Sequence, residues 1–189
     1  KEEGLHIDKD HFMTISPDEG SMNRAIYLAN VLGVDMGMYY KRLDYSRYVN
    51  GRHPIAAYEF LGPKIEGKDM ILIDDMISSG DTIIKIASLL KEKGAGRVYI
   101  CSTFGFFTDG LDKFDDAYKK GYFDKLLTTN LVYQSPELLE KPYYISCDMS
   151  KYIALIIDTL NHDTSVSHLL NPVDRIKRCV ANYMSQYEK

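Results

Sequence analysis

Residues 70–82 read Met-Ile-Leu-Ile-Asp-Asp-Met-Ile-Ser-Ser-Gly-Asp-Thr. Four apolar residues, 70–73, are too short a run for a helix. With Gly67 and Lys68 before them they read as a buried central strand. The strand ends on adjacent carboxylates, Asp74 and Asp75. A small, hydroxyl-rich turn follows, Ser78, Ser79 and Gly80, and then Asp81 and Thr82 lead into an apolar helical pattern. Loop N–H groups and a helix N-terminus suit a phosphate. Carboxylates at a strand end suit sugar hydroxyls or a metal ion. The same residues also make an ordinary helix cap and a solvated turn, and short motifs match by chance. Both readings stand on this segment alone.

The elements needed to position these groups can be read around them. Strands are expected at 12–15, 34–40, 56–61, 70–73, 98–103, 125–129 and 143–145. Helices are expected at 22–32, 83–93, 111–120, 150–160 and 172–187, with Ser21 as an N-cap, Gly94 as a stop and Pro172 in a first turn. Residues 41–54 are polar and basic without periodicity and read as a loop carrying Lys41, Arg42, Arg47 and Arg52. Strands alternating with helices predict an α/β fold, a parallel-rich central sheet with helices on both faces. Ligands in such sheets sit beyond the carboxyl ends of the strands. Asp18, Lys41, Asp74 and Asp75 each follow a predicted strand, so they are expected on one rim.

The bulk composition excludes several classes. Of 189 residues, 45% are hydrophobic and 26% charged, the values of an ordinary globular chain. A formal net charge of −4 argues against nonspecific nucleic-acid binding. No run approaches the ~18 apolar residues of a membrane span. The charged start, Lys1-Glu2-Glu3, does not resemble a signal peptide, and from a start at Lys1 the chain is expected to be processed or cut from something longer. Cys101, Cys147 and Cys179 lack paired or metal-ligand spacing and read as buried thiols, so a cytoplasmic location is expected. His6, His11, His162 and His168 form no metal pattern.

The 70–82 stretch resembles the phosphoribosyl diphosphate (PRPP) binding motif of type I phosphoribosyltransferases and of ribose-phosphate pyrophosphokinases, or PRPP synthetases. Other segments favour the second family. Ser16-Pro17-Asp18-Glu19-Gly20 resembles its Ser-Pro-Asp-x-Gly-Gly, and Tyr40-Lys41-Arg42 its basic catalytic loop. Ile65-Glu66-Gly67-Lys68, residues 103–108 and residues 163–169 also match it in order. The departures are specific. Ser78 stands for Asp, Ser79 for Thr, Asp81 for Gly, Phe104 for His and Leu43 for Arg. Ser78 removes a carboxylate near the ribose, and Asp81 puts a negative charge where a phosphate should bind.

The resemblance implies a single phosphoribosyltransferase-like (Rossmann-like) domain over 1–189, the C-terminal half of a PRPP synthetase whose N-terminal half is absent. It implies Mg²⁺-dependent transfer of diphosphate from ATP to ribose 5-phosphate and a homo-oligomer. The isolated chain is expected to be inactive without the half that supplies most of the nucleotide site. Ser78, Ser79, Gly80, Asp81 and Thr82 would hold the 5-phosphate, and Asp74 and Asp75 the ribose hydroxyls. Asp18 would be a metal ligand, although it also suits a turn after Pro17. Lys41 and Arg42 would be catalytic cations, and Ser165 and Ser167 would line a regulatory phosphate site, although each group also suits an ordinary surface loop. Two alternatives remain. One is a non-catalytic, synthetase-associated regulatory protein, suggested by Ser78 and Asp81. The other is a type I phosphoribosyltransferase, against which no base-binding hood is visible.

Overall fold

The computed structural model describes residues 4–48, 51 and 53–185. The apolar segments form one seven-stranded sheet: β1 (Phe12–Ser16), β2 (Asp35–Leu43), β3 (Ile55–Leu61), β4 (Asp69–Ile77), β5 (Val98–Gly105), β6 (Lys125–Thr129) and β7 (Tyr144–Cys147). Their order is β3-β2-β1-β4-β5-β6-β7, and only the β2–β3 pair is antiparallel. The helices are α1 (Met22–Leu32), α2 (Asp81–Glu92), α3 (Asp112–Lys119), α4 (Pro136–Leu139), α5 (Ser150–Asn161), α6 (Ser167–Leu170) and α7 (Val173–Met184).

Alternation along the strands divides the core. Met13, Ile15, Met70, Leu72 and Ile100 point into the larger cluster, with Ile83, Ile86, Ala87 and Leu90 of α2 and Phe114 of α3. The spacing of those α2 residues makes a continuous apolar stripe, which seats the helix firmly. Phe12, Ala29 and Val34 form the smaller cluster with Ile71 and Tyr99, on the face that α1 covers. Gly33 closes α1 in the left-handed region at φ 71°, its N–H bonded to the Ala29 carbonyl. Helices therefore cover both faces of the sheet. No helix among the described residues is long and apolar enough to cross a membrane.

Strand β1 sends the chain toward β2 on one side, while β4 continues toward β5 on the other. The turns after β1 and β4 therefore diverge, and a crevice opens between them at the carboxyl rim.

Several boundaries differ from expectation. Strand β2 runs on to Leu43, so Lys41 and Arg42 lie on a strand, opposite Tyr58 and Ala57 of β3, and not in a loop. Pairing supplies the order that apolar periodicity does not announce here, because this edge is half-exposed. Strand β4 continues through Asp74 and Asp75 to Ile77, and α2 begins at Asp81. Ser21 makes no side-chain cap to α1; a short 3₁₀ turn, Glu19–Ser21, precedes the helix, with Asp18 accepting from the Gly20 N–H. The one-turn helices α4 and α6 are additional. Arg52 and the predicted helix end at Tyr187 lie outside the described residues.

Candidate functional site

The crevice between the turns after β1 and β4 is lined by Asp18, Asp74, Met76, Ile77, Ser78, Ser79, Gly80, Asp81, Thr82 and Ile83. Its volume is about 150 Å³. That is below the ~300–1,000 Å³ of pockets for drug-sized ligands, so it suits a compact ligand better than a whole nucleotide.

Local folding fixes the loop 78–82. Gly80 takes φ 83°, a left-handed conformation that favours glycine. A Cβ there would collide with the fully buried ring of Phe114. Beyond Gly80 the amphipathic α2 begins, and its N-terminus faces the crevice with no side-chain cap. The Phe106 N–H donates to the Ile77 carbonyl (2.8 Å) and the Thr108 N–H to the Ser78 carbonyl (3.1 Å), which tie the loop to the turn after β5.

Asp74 faces the crevice from β4 and accepts a 2.6 Å bond from the Ser21 hydroxyl. Burial pushes its carboxyl above the ordinary range, aided by the charge of Asp18 and opposed by the Ser21 bond. Asp75 points elsewhere. It takes the Arg24 guanidinium at 3.1 Å and is not among the lining residues. Burial raises Asp75 too, but its bond with Asp74 and the Arg24 charge outweigh that, leaving it below the ordinary range. Asp18 lines the opposite wall, and Lys41 Nζ reaches across to it at 3.1 Å. Arg42, one residue on, turns to Glu59 at 2.8 Å across the hairpin.

Within the loop, Ser79 donates to Asp81 Oδ2 at 3.0 Å. Asp81 Oδ1 receives Lys113 Nζ of α3 at 2.8 Å, and the same ammonium reaches Asp109 at 2.9 Å. The Lys113 and Ser79 bonds hold Asp81 below the ordinary carboxylate range, while Asp109 and Asp81 raise Lys113. The negative charge noted in the sequence is thus met by a cation from another helix. The Ser78 hydroxyl lies 3.3 Å from that of Thr108.

The crevice therefore gathers Asp18, Asp74, Ser78, Ser79, Gly80, Asp81 and Thr82, with Lys41 at its edge. Asp75 and Arg42 sit beside it, each in an ion pair. Ser165 and Ser167 lie at the start of α6, hydroxyls 2.9 Å apart, and are not among the lining residues. Sequence reasoning missed Ser21, Lys113 and Thr108. A hydroxyl before a helix reads as a cap. The unbalanced charge of Asp81 was the one signal that a counter-charge such as Lys113 was needed.

Crevice, strand order and crossovers define an α/β domain of the phosphoribosyltransferase-like type. Comparison with known proteins narrows this. Residues 52–171 match the phosphoribosyl synthetase-associated domain family, and the chain belongs to it. The ribose-phosphate pyrophosphokinase of Vibrio parahaemolyticus is 29% identical over 163 residues, 86% of this chain and 49% of that protein. That of Thermococcus kodakarensis is 31% identical over 121 residues, 64% and 39% respectively. The chain thus spans about half the length of the curated relatives it matches. The crystal structure of phosphoribosylpyrophosphate synthetase from Mycobacterium smegmatis shares the fold, with a TM-score of 0.66 at 24% identity over 80% of this chain and 45% of that one.

Proposed function

We propose that this chain is the sugar-phosphate domain of a ribose-phosphate diphosphokinase, binding ribose 5-phosphate and PRPP in the crevice for Mg²⁺-dependent diphosphate transfer from ATP. One observation carries the proposal: two carboxylates, Asp18 and Asp74, and a hydroxyl- and N–H-rich loop line one crevice of sugar-phosphate size. Loop 78–82 holds the 5-phosphate through backbone N–H groups and the Ser79 and Thr82 hydroxyls. Asp74, steadied by Ser21, accepts from the ribose hydroxyls. Asp75 joins at the margin when Arg24 releases it. Lys41 and Arg42 neutralise the transferring diphosphoryl group, which such reactions stabilise by positioning and charge and not by a covalent intermediate.

The donor set fits Mg²⁺, which takes one or two carboxylates with phosphate oxygens and water. Asp18 and Asp74 supply that pair, and burial, with a smaller push from the charge of Asp18, raises the Asp74 carboxyl, a cost that a bound cation would offset. Asp18 and Asp74 would hold the ion, and when bound it supplies charge neutralisation on the phosphate oxygens. Lys41 then leaves Asp18 for the ligand. Most of the nucleotide site lies outside these residues, consistent with the small crevice and with a match to half of each relative. A cytoplasmic homo-oligomer is the expected setting.

The test is product analysis by phosphorus NMR, with a full-length version incubated with ATP, Mg²⁺ and ribose 5-phosphate. PRPP is the expected product, made far more slowly by the 189-residue chain alone. Equally fast synthesis by the isolated chain would overturn the placement of the nucleotide site. A second reading, a non-catalytic synthetase-associated protein, is favoured by the bond of Ser79 to Asp81 inside the loop. A full-length protein that binds ribose 5-phosphate without making PRPP would select it.

A further inference from the structure

The loop that should receive a phosphate already holds an anion. Ser79 points its hydroxyl at Asp81 Oδ2, 3.0 Å away, so one donor of the candidate phosphate site is engaged from within. The second oxygen of that carboxylate lies 2.8 Å from Lys113 Nζ, which also holds Asp109 at 2.9 Å. One ammonium thus serves two carboxylates, and the group stays net negative beside the N-terminus of α2. Asp81 is not locked in place. Its side chain is 68% exposed, so it is held by the Ser79 and Lys113 bonds and not by burial. Lys113 is half-exposed on α3, a different element, and reaches the loop from the side of α2 away from Asp74.

We infer that Asp81 is an internal competitor for the ligand's phosphate at this loop, and that Lys113 is the positioning residue that sets how strongly it competes. The inference rests on the sugar-phosphate reading above. A dianionic phosphate needs the Ser79 hydroxyl and the neighbouring N–H groups, and like charges at this range repel strongly. The phosphate enters only as Asp81 swings off Ser79, and Lys113 keeps the displaced carboxylate paired. The loop therefore has two arrangements, one closed by its own carboxylate and one open to ligand. A ligand shifts between them only by its differential affinity. The consequence is selectivity: the loop admits a strongly charged phosphoryl group and gives a neutral sugar no advantage there.

Four proteins test this: wild type, Asp81→Asn, Lys113→Met and the double variant. Asparagine keeps an acceptor for Ser79 and removes only the charge, and circular dichroism checks each fold. Each is titrated calorimetrically with ribose 5-phosphate and with ribose, in Mg²⁺. Asp81→Asn should tighten ribose 5-phosphate by about tenfold, the effect of removing one nearby like charge, and leave ribose unchanged. Lys113→Met should weaken ribose 5-phosphate several-fold in the wild-type background and have no effect beside Asp81→Asn. Unchanged or weaker ribose 5-phosphate binding by Asp81→Asn, with wild type binding, overturns the competitor. An equal loss from Lys113→Met in both backgrounds overturns the positioning role, because Lys113 would then touch the phosphate itself. If none of the four binds ribose 5-phosphate, the sugar-phosphate reading falls, a result distinct from either.

Discussion

The crevice loop and the hairpin beside it are built differently. The loop after β4 stands on the larger core: Gly80 abuts Phe114, and four apolar positions of α2 are buried. The β2–β3 hairpin, which carries Lys41 and Arg42, is the sheet's antiparallel edge, with Tyr40, Ile55 and Leu61 exposed. Hydroxyls, N–H groups and Asp74 thus stand directly on the core, while the two cations lie on the stretch of β2, residues 40–43, in which no residue is buried. On the function proposed above, the site needs both a fixed cradle and cations that can approach.

The largest expected effect tests the loop. Gly80→Ala adds a Cβ against Phe114 at a left-handed position, and neither the buried ring nor the helix start can yield. It should cost about 3 kcal/mol, from overpacking and backbone strain together. Urea unfolding measures it, and an unchanged midpoint would show the loop to be as loose as the hairpin. Next comes the hairpin. In a full-length protein Lys41→Ala should lower kcat about 10²-fold, with a smaller rise in KM for ribose 5-phosphate, if the lysine engages mainly as charge develops. Unchanged kcat in steady-state kinetics would make the Asp18 pair the whole of its role.

A smaller, pH-dependent effect belongs to Asp74. The folded Asp74 carboxyl lies above its ordinary value because burial, with the Asp18 charge, disfavours the ion. The native state therefore binds that proton more tightly than the unfolded one. This contribution to stability is present below the ordinary carboxylate range and is lost as pH rises through the folded value. Asp74→Asn should stabilise the fold at neutral pH, with the gain shrinking as pH falls below that value. Thermal melts across pH 3–7 read it, and a gain independent of pH would assign the effect to something other than titration. Least of all should change with Arg42→Ala. Its pair with Glu59 is more than half exposed on both sides, and such pairs contribute less than about 1 kcal/mol. A larger loss in urea unfolding would mean that the hairpin is more tightly knit than its exposure suggests.

The same contrast governs what could be read from the sequence. Strand β4, the loop and α2 are legible because their signals are local: an apolar run, small residues and a helical stripe follow one another within 24 residues, 69–92. The extension of β2 through Lys41 and Arg42 was not legible. Residues 40–43 of β2 lie beyond its pairing with β1 and none is buried, so their order comes from β3. Helix α4 is a single turn, but Ser135 before Pro136 and the Leu138 N–H it caps were signals in plain sight. The partners of Asp74 and Asp81 were hidden for another reason. Ser21 and Lys113 lie 53 and 32 residues from them, and only the folded sheet brings them near.

The place of β4 beside β1 also has a kinetic side. Phe12 pairs with Asp69 and Met13 with Met70, with α1, β2 and β3 all falling between them in the chain. Closing so long a loop costs entropy before any pairing rewards it, and sheets built this way form slowly. We expect helical content to return early on refolding while the crevice waits for β1 to meet β4. In a stopped-flow experiment the far-ultraviolet signal should recover first, and ligand-dependent fluorescence should lag behind it. Simultaneous recovery would mean that the two turns find one another as early as the helices form.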